Sequence, residues 1–469
     1  MRPLEIITSI ILTIYIIAPL ISKKYLKLIK LLPALSLVTI ATHANIEGTR
    51  WQMIPLYVFS GMATLVSVPA LMKSEQQTDS TTRPLRIILS LSLLAVSTAL
   101  PILLPVPAIP APSGEYSVGT RIYELTDESR KELYSGQDEA RRFQIQVWYP
   151  SEKGTTEEYS PWVANANVFA PAYSEYLEFP SFFLDHISLA RVPAYREANL
   201  VLQDVEFPVI IYSHGWNGFD AISTSQTTQL ASHGYVVIGM QHTYGAIVTV
   251  FEDGTSAKNY PDALPDGVPD NEYEIAARKL VEQWSGDIKY ALDFLSNENK
   301  NEGSPFYKAL DLSQIGVYGH STGGGAAIQF CGTDTRCKAL LGQDPFMRPV
   351  SKDVRDRGVS QPSFFMFSQT WRDDFSSRNN RLFTPFYAKS NDTFGAVYII
   401  GTEHLDFIDL PLLSPLAPQL GLKGPINGKR VTAIINDYLL SFFNFALKGI
   451  PTNLFENSNT YPEINTMTP

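Results

Sequence analysis

The segment that most restricts how this chain can fold is Gly319-His320-Ser321-Thr322-Gly323, followed by Gly324, Gly325, Ala326 and Ala327. It comes directly after a strand-like run at 314–318 and opens a helical pattern. A serine in G-x-S-x-G between strand and helix sits on a tight, strained turn that exposes its hydroxyl, and the glycines are needed because side chains there would collide with neighbouring elements. Around it, further strands are predicted at 143–149, 209–212, 235–240, 339–341, 363–367 and 396–400, and helices at 223–233, 272–295, 322–331 and 431–447. Continuous apolar strands separated by helices indicate a mostly parallel sheet buried on both faces, which is a three-layer α/β domain. The stretches 151–199 and 251–271 are rich in turn formers and are expected to cover one end of the sheet as insertions.

The rest of the chain is a different material. Residues 1–110 hold nine Lys/Arg against four Asp/Glu, whereas the remaining 359 hold 28 against 43. The acidic balance of the larger part disfavours nucleic acid, which needs a basic surface. Aromatic residues at 12 % exclude a disordered chain, and two cysteines exclude a disulfide scaffold. Four apolar stretches, at 6–21, 26–44, 51–72 and 85–104, are each near the roughly 20 residues needed to cross a hydrocarbon core. Four in succession predict a membrane anchor, not a cleaved leader. The first connecting stretch carries Lys23, Lys24, Lys27 and Lys30, and the third has three cations against two acids, whereas the middle one has one of each. Lys and Arg mark cytoplasmic loops, so both chain ends and the soluble part are expected outside the cytoplasm. The expected organisation is a transmembrane region at 1–104, a Pro-rich linker at 105–114, the three-layer α/β domain at 115–450 and a tail at 451–469. His43, Glu47 and Arg50 share the short middle loop, where interfacial packing is the expected role.

The serine motif has a companion, Tyr212-Ser213-His214-Gly215-Trp216-Asn217-Gly218, also directly after a strand. Acyl transfer needs two backbone N–H groups aimed at the developing oxyanion, one after the nucleophile and one from an early strand–helix loop. Thr322 and Trp216 are the expected donors. A serine also needs a base. Of seven histidines, His43 belongs to the apolar part, His214 and His320 lie inside the two motifs, His186 lies in an insertion, and His233 and His242 come too early. His404, after the last strand, stands where the order Ser, Asp, His requires it. For the acid, Asp344 follows the next strand after the serine, and Asp373 and Asp374 follow the one after that. Spacing leaves these alternatives open.

Gly-His-Ser-x-Gly-Gly, the earlier Ser-His-Gly, Asp344 with Met347 and Pro349, Gln361-Pro362, and the late His-x-x-Phe together resemble the platelet-activating factor acetylhydrolase family of α/β hydrolases, the group VII phospholipases A2. The resemblance covers roughly residues 140–450. It implies Ser321, Asp344 and His404 as the triad, Trp216 and Thr322 as oxyanion donors, no metal or cofactor, and esters with short or oxidised acyl chains, including sn-2 acetyl phospholipids. Thr322 in place of an aromatic, Trp216 in the first oxyanion position and the four apolar stretches depart from the family pattern. A weaker resemblance, to polyester hydrolases and cutinases with Gly-His-Ser-Met-Gly-Gly-Gly, would place the acid at Asp373 or Asp374.

Cys331 and Cys337 can close a small loop in an oxidising compartment, worth about 2 kcal/mol by chain entropy. With no second cysteine pair and no nearby histidine they do not read as a zinc site. Asp287, on the long predicted helix, is expected to be ion-paired and not catalytic. The leading expectation is a membrane-anchored serine esterase acting on a lipid or small-molecule ester. The rival is a catalytically silent hydrolase fold serving as a membrane receptor or scaffold, which a missing serine, histidine or acid would have favoured.

Overall fold

The structure is a computed structural model; it describes residues 1–21, 25–72, 83–152, 158–201, 206–374, 376–455 and 460–467. Two compact units result. The smaller comprises Met1–Pro107 with the short segments Asp185–Ala190 and Leu413–Leu416; the larger comprises Ala108–Leu184, Arg191–Leu412 and Ala417–Pro469.

The smaller unit is helical: Pro3–Ile21, Leu26–Ile29 running into Leu32–Ile46, Ile54–Ser67 followed by Pro69–Met72, and Arg83–Leu103. Three stretches, Pro3–Leu20, Leu26–Ile46 and Pro84–Leu103, are long and apolar enough to cross a membrane. The apolar run at 51–72, expected to be one of the four spans, is instead divided into a 3-10 turn, Trp51–Met53, and two helices, with Pro55 at the start of the first and Pro69 opening the second. Proline supplies no N–H, so a helical hydrogen bond is lost at each, while Ile54 and Val68 before them keep αR backbone. Burial in this unit is inverted relative to a water-soluble bundle. Val38, Leu65, Val66, Leu89 and Val96 are at least 60 % exposed, whereas Glu5 and Arg50 are buried and paired at 2.7 Å. Apolar exposure on this scale is uncommon on a surface that faces water. His43 and Glu47 are also more than interfacial packing: His43 Nδ1 lies 2.9 Å from Glu47 Oε2, and Arg2 bridges Glu5 and Glu47. Lys23, Lys24 and the stretch 73–82, on which the expected orientation rests, lie outside the described residues.

In the larger unit the strands are β1 (Ser117–Lys131), β2 (Ala140–Ser151), β3 (Tyr159–Pro161), β4 (Arg191–Arg196), β5 (Phe207–Ser213), β6 (Val236–Gln241), β7 (Val248–Val250), β8 (Ser256–Lys258), β9 (Leu310–His320), β10 (Cys337–Gln343), β11 (Ser363–Ser368), β12 (Thr393–Ile399) and β13 (Ile464–Met467). Among the described residues, all but β7 and β8 form one sheet in the order β13-β12-β11-β10-β9-β5-β6-β2-β1-β4-β3. The six strands from β12 to β6 are parallel, and β13 and β2 join them antiparallel. The parallel strands are buried on both faces, as their unbroken apolar runs require: every residue of β5 and β6 is buried. Helix Asp270–Glu298 covers one face with Leu280, Trp284, Ile288, Ala291 and Leu295, a helical repeat of three and four.

Some segments fold differently from their sequence reading. The tail at 451–469 supplies β13, which pairs with β12 and covers that edge. The insertion at 151–199 contains β3, β4 and helix Ala166–Tyr176. The linker is pinned from Ser113 onward: Ser113 N–H donates to Gln229 Oε1 at 2.9 Å and Gly114 N–H to Ser232 Oγ at 3.1 Å. Both acceptors lie on helix Thr224–Ser232.

Candidate active site

Parallel strands of an open sheet present their C-terminal ends, with the loops that follow, along one rim. Trp216 follows β5, Ser321 follows β9, Asp344 follows β10 and His404 follows β12. Residues far apart in sequence meet there because β5, β9 and β10 are neighbours and β12 lies two strands further on.

Ser321 occupies the sharp turn its motif predicts, with φ 55° and ψ −120°. A side chain at positive φ is strained by about 1–3 kcal/mol and persists only where surroundings hold it. Here Ser321 N–H donates to Gln343 O at 2.9 Å, and Ser321 O accepts from Gly325 and Phe346. The flanking glycines are required by proximity: a Cβ on Gly319 would lie 2.3 Å from Gly323 O, and one on Gly323 would lie 2.1 Å from Ser213 O. Gly215 approaches the serine from the other side, since its Cβ would come to 3.1 Å from Ser321 Cβ.

His404 Nδ1–H donates to Asp344 Oδ2 at 2.9 Å. Asp344 is fully buried and meets no cation among the described residues; its remaining partners are Ser368 N–H to Oδ1 at 2.8 Å and Ser368 Oγ–H to Oδ2 at 2.6 Å. Asp373, by contrast, is half exposed and pairs with Arg372, and Asp374 accepts from Ser376 at the start of the following turn. Trp371 stacks on the His404 ring at 4.6 Å and 13°. On the opposite side of the loop, His320 Nε2–H donates to the His404 carbonyl at 2.9 Å. Burial, first, and the neighbouring His404 hold His320 well below the ordinary histidine range, so it acts as a neutral donor.

Ser321 and His404 line one cavity of about 170 Å³, together with Trp216 and an apolar wall of Tyr173, Tyr176, Leu177, Ile222, Ile408, Leu410 and Leu422. Thr322 is the first residue of helix Thr322–Thr333, where backbone N–H groups lack intrahelical acceptors. Among the described residues neither Thr322 N–H nor Trp216 N–H is paired. Ser368, Trp371 and His320 went unrecognised in the sequence. Only His320 carried a signal, its place inside the serine motif. Cys331 and Cys337 are joined as a disulfide.

A model of the family described as "Platelet-activating factor acetylhydrolase, isoform II" matches residues 105–453. The chain belongs to this family. Among its relatives, the platelet-activating factor acetylhydrolase of Cavia porcellus is 28 % identical over 377 residues, covering 76 % of this chain and 81 % of that protein. The "Probable 1-alkyl-2-acetylglycerophosphocholine esterase" of Arthroderma benhamiae is 23 % identical, covering 76 % and 92 %. A ferulic acid esterase from Streptomyces cinnamoneus, 22 % identical, superposes with a TM-score of 0.63 over 77 % of this chain and all of that one. That likeness carries the fold, the α/β hydrolase sheet. As a member of the acetylhydrolase family the chain is a carboxylic ester hydrolase of the serine type.

Proposed function

We propose that Ser321 is the nucleophile, His404 its general base and Asp344 the carboxylate that orients His404, with the N–H groups of Trp216 and Thr322 holding the oxyanion. The observation that carries this is the Asp344–His404 hydrogen bond at 2.9 Å beside a cavity that Ser321 lines on a strained turn. In the first half-reaction His404 Nε2 takes the Ser321 proton as Oγ attacks the ester carbonyl, and then returns it to the departing alcohol. Water attacks the acyl-enzyme through the same relay, releasing the acid. Asp344 fixes the Nδ1–H tautomer and stabilises the imidazolium formed in between.

The proposed substrate is a phospholipid-like ester with a short acyl group at sn-2, as the names of the relatives suggest. The apolar wall, with no acid or lysine among the described residues that line the cavity, suits an acyl group. The membrane helices would hold the enzyme beside its lipid, with the larger unit outside the cytoplasm; the lysines near the first loop and the disulfide support this orientation. Hydrolysis of sn-2 acetyl and sn-2 palmitoyl glycerophosphocholines by the full-length protein in detergent tests the substrate. The acetyl ester is expected to turn over at least ten times faster, and equal rates would overturn the short-acyl reading. A reporter fused after Gly114 tests the orientation.

A further inference from the structure

A second serine–histidine–aspartate chain lies under the first. Ser213 Oγ is 2.9 Å from His242 Nε2, and His242 Nδ1 is 2.9 Å from Asp287 Oδ2; all three residues are fully buried. Among the described residues none of the three lines the cavity beside Ser321, and the Ser213 hydroxyl is closed off from solvent. Asp287 is also gripped by Arg141, through Nη2 at 2.7 Å and Nε at 3.0 Å, and by Arg130 at 2.9 Å. The carboxylate therefore stays charged and accepts, so His242 carries its proton on Nδ1 and leaves Nε2 to accept from Ser213. The Trp284 ring, stacked at 4.2 Å, holds the imidazole in place.

The chain continues toward the site described above. The backbone N–H of His242 donates to His214 Nε2 at 3.3 Å, and His214 Nδ1 lies 2.7 Å from the carbonyl oxygen of Gly215. A carbonyl only accepts and an N–H only donates, so both contacts demand the same neutral tautomer of His214, protonated on Nδ1. Burial, first among the causes, keeps His214 uncharged, with its acid constant down at about 3. Gly215 O accepts a second bond, from Gly218 N–H at 2.9 Å. The Gly215–Trp216 peptide is trans, so its N–H points opposite to its C=O. With Gly215 O fastened to His214 and Gly218, the Trp216 N–H is turned away from the buried His214 ring.

We propose that His214, locked as its Nδ1–H tautomer between the backbone N–H of His242 and the carbonyl of Gly215, aims the Trp216 N–H at the oxyanion and is a positioning residue for catalysis. This rests on the reading of Trp216 as an oxyanion donor. Losing one such donor outright costs about 10²–10³ in turnover, and misaiming it costs part of that.

The test uses the full-length protein in detergent, its active sites titrated with a fluorophosphonate, and two variants. His214→Asn keeps a donor for Gly215 O, whereas His214→Gln can still accept from His242 N–H but leaves Gly215 O without its side-chain partner. We expect His214→Gln to lose about 10- to 100-fold in kcat per titrated site on nitrophenyl acetate, with KM changed less than about threefold. Inhibition by a trifluoromethyl ketone, which forms the tetrahedral adduct, should weaken by the same factor, and His214→Asn should recover most of the loss. Equal turnover of the two variants, or a loss seen only in KM or only in the titratable fraction, would overturn the proposal. Nitrogen NMR of histidine-labelled wild-type protein decides it independently of variant folding: His214 must be neutral and protonated on Nδ1, and an Nε2–H signal would sink the chain. Failure of the parent reading looks different, because Ser321→Ala would then still hydrolyse ester and take the label. Label on Ser213 in that variant would overturn the passive role given to the buried chain.

Discussion

The two serine, histidine and aspartate sets of the larger unit share a histidine–aspartate hydrogen bond of 2.9 Å, and differ in what surrounds the aspartate. Asp344 is met by the N–H and O–H of Ser368, which are neutral, so its full charge remains available to an imidazolium on His404. Asp287 is met by Arg141 and Arg130, and its charge is already offset. A proton on His242 would face two guanidinium groups, and burial together with those arginines holds His242 below the ordinary histidine range. Hydrogen-bond geometry alone therefore does not make a catalytic triad. A carboxylate without a cation, a histidine with room to cycle its proton and a serine on a cavity do.

The largest effect expected from breaking this contrast is at the serines. Ser321→Ala should lower ester hydrolysis by on the order of 10⁴-fold or more and abolish fluorophosphonate labelling, while Ser213→Ala keeps the label. Next come the aspartates. Asp344→Asn should lower kcat by on the order of 10³- to 10⁴-fold with little change in melting temperature, because the asparagine favours the wrong His404 tautomer. Asp373→Asn should stay within about twofold of wild type. If Asp373→Asn is the inactive one, the acid has been misassigned. Asp287→Asn should do the reverse of Asp344→Asn, costing about 3–5 kcal/mol in denaturant unfolding because Arg141 is left buried without its counter-charge, with a smaller loss per titrated active site.

A third buried carboxylate sharpens the contrast by pH. Asp409 accepts from the N–H of Ser225 at 3.1 Å and from its hydroxyl, and burial pushes its acid constant up to about 7. Between about pH 4 and 7 the folded protein holds a proton there that the unfolded chain has released. That contribution to stability is complete at the acid end and is lost as pH rises through 7. Asp409→Asn removes the dependence, so the stability of the variant relative to wild type should rise from pH 5 to pH 8 in paired denaturation curves. A difference independent of pH would show that Asp409 is charged in the fold. The smallest effect is expected at the disulfide: replacing Cys331 and Cys337 by serine should cost about 2 kcal/mol, with turnover per site unchanged.

Much of this arrangement was legible in the sequence where the cause is local. The turn at Ser321 is imposed by glycines next to it, and β5, β6, β9 and β11 follow from unbroken apolar runs. β1 was missed because Tyr123-Glu124-Leu125-Thr126-Asp127-Glu128 mixes charge into a strand near the sheet edge, where one side is wet. β13 was missed because four residues, Ile464–Met467, gain their strand conformation from β12 and not from their own pattern. Spacing alone left Asp344 and Asp373 open for a related reason, since both follow strands; the family resemblance pointed to Asp344, and it is Asp344 that Ser368 and His404 approach. No spacing links 213, 242 and 287, which three separate elements bring together, so Asp287 could be read as ion-paired but not as part of a chain reaching Trp216.

The apolar stretch at 51–72 teaches the complementary lesson. Its composition suited a span, yet Pro55 and Pro69 mark where its helical hydrogen bonding divides.

The two short segments 185–190 and 413–416 give the molecule a practical indivisibility. The polypeptide leaves the sheet unit twice to join the helical one, where His186 is buried against Gln52 at 2.8 Å and Ser414 Oγ–H donates to Leu103 O at 2.5 Å. A fragment cut at residue 107 would keep both excursions and lose Gln52 and Leu103, their partners in the helical unit. Trimming the helices to obtain a soluble enzyme would thus leave two loops without these partners, and the remedy is to redesign those loops along with the cut.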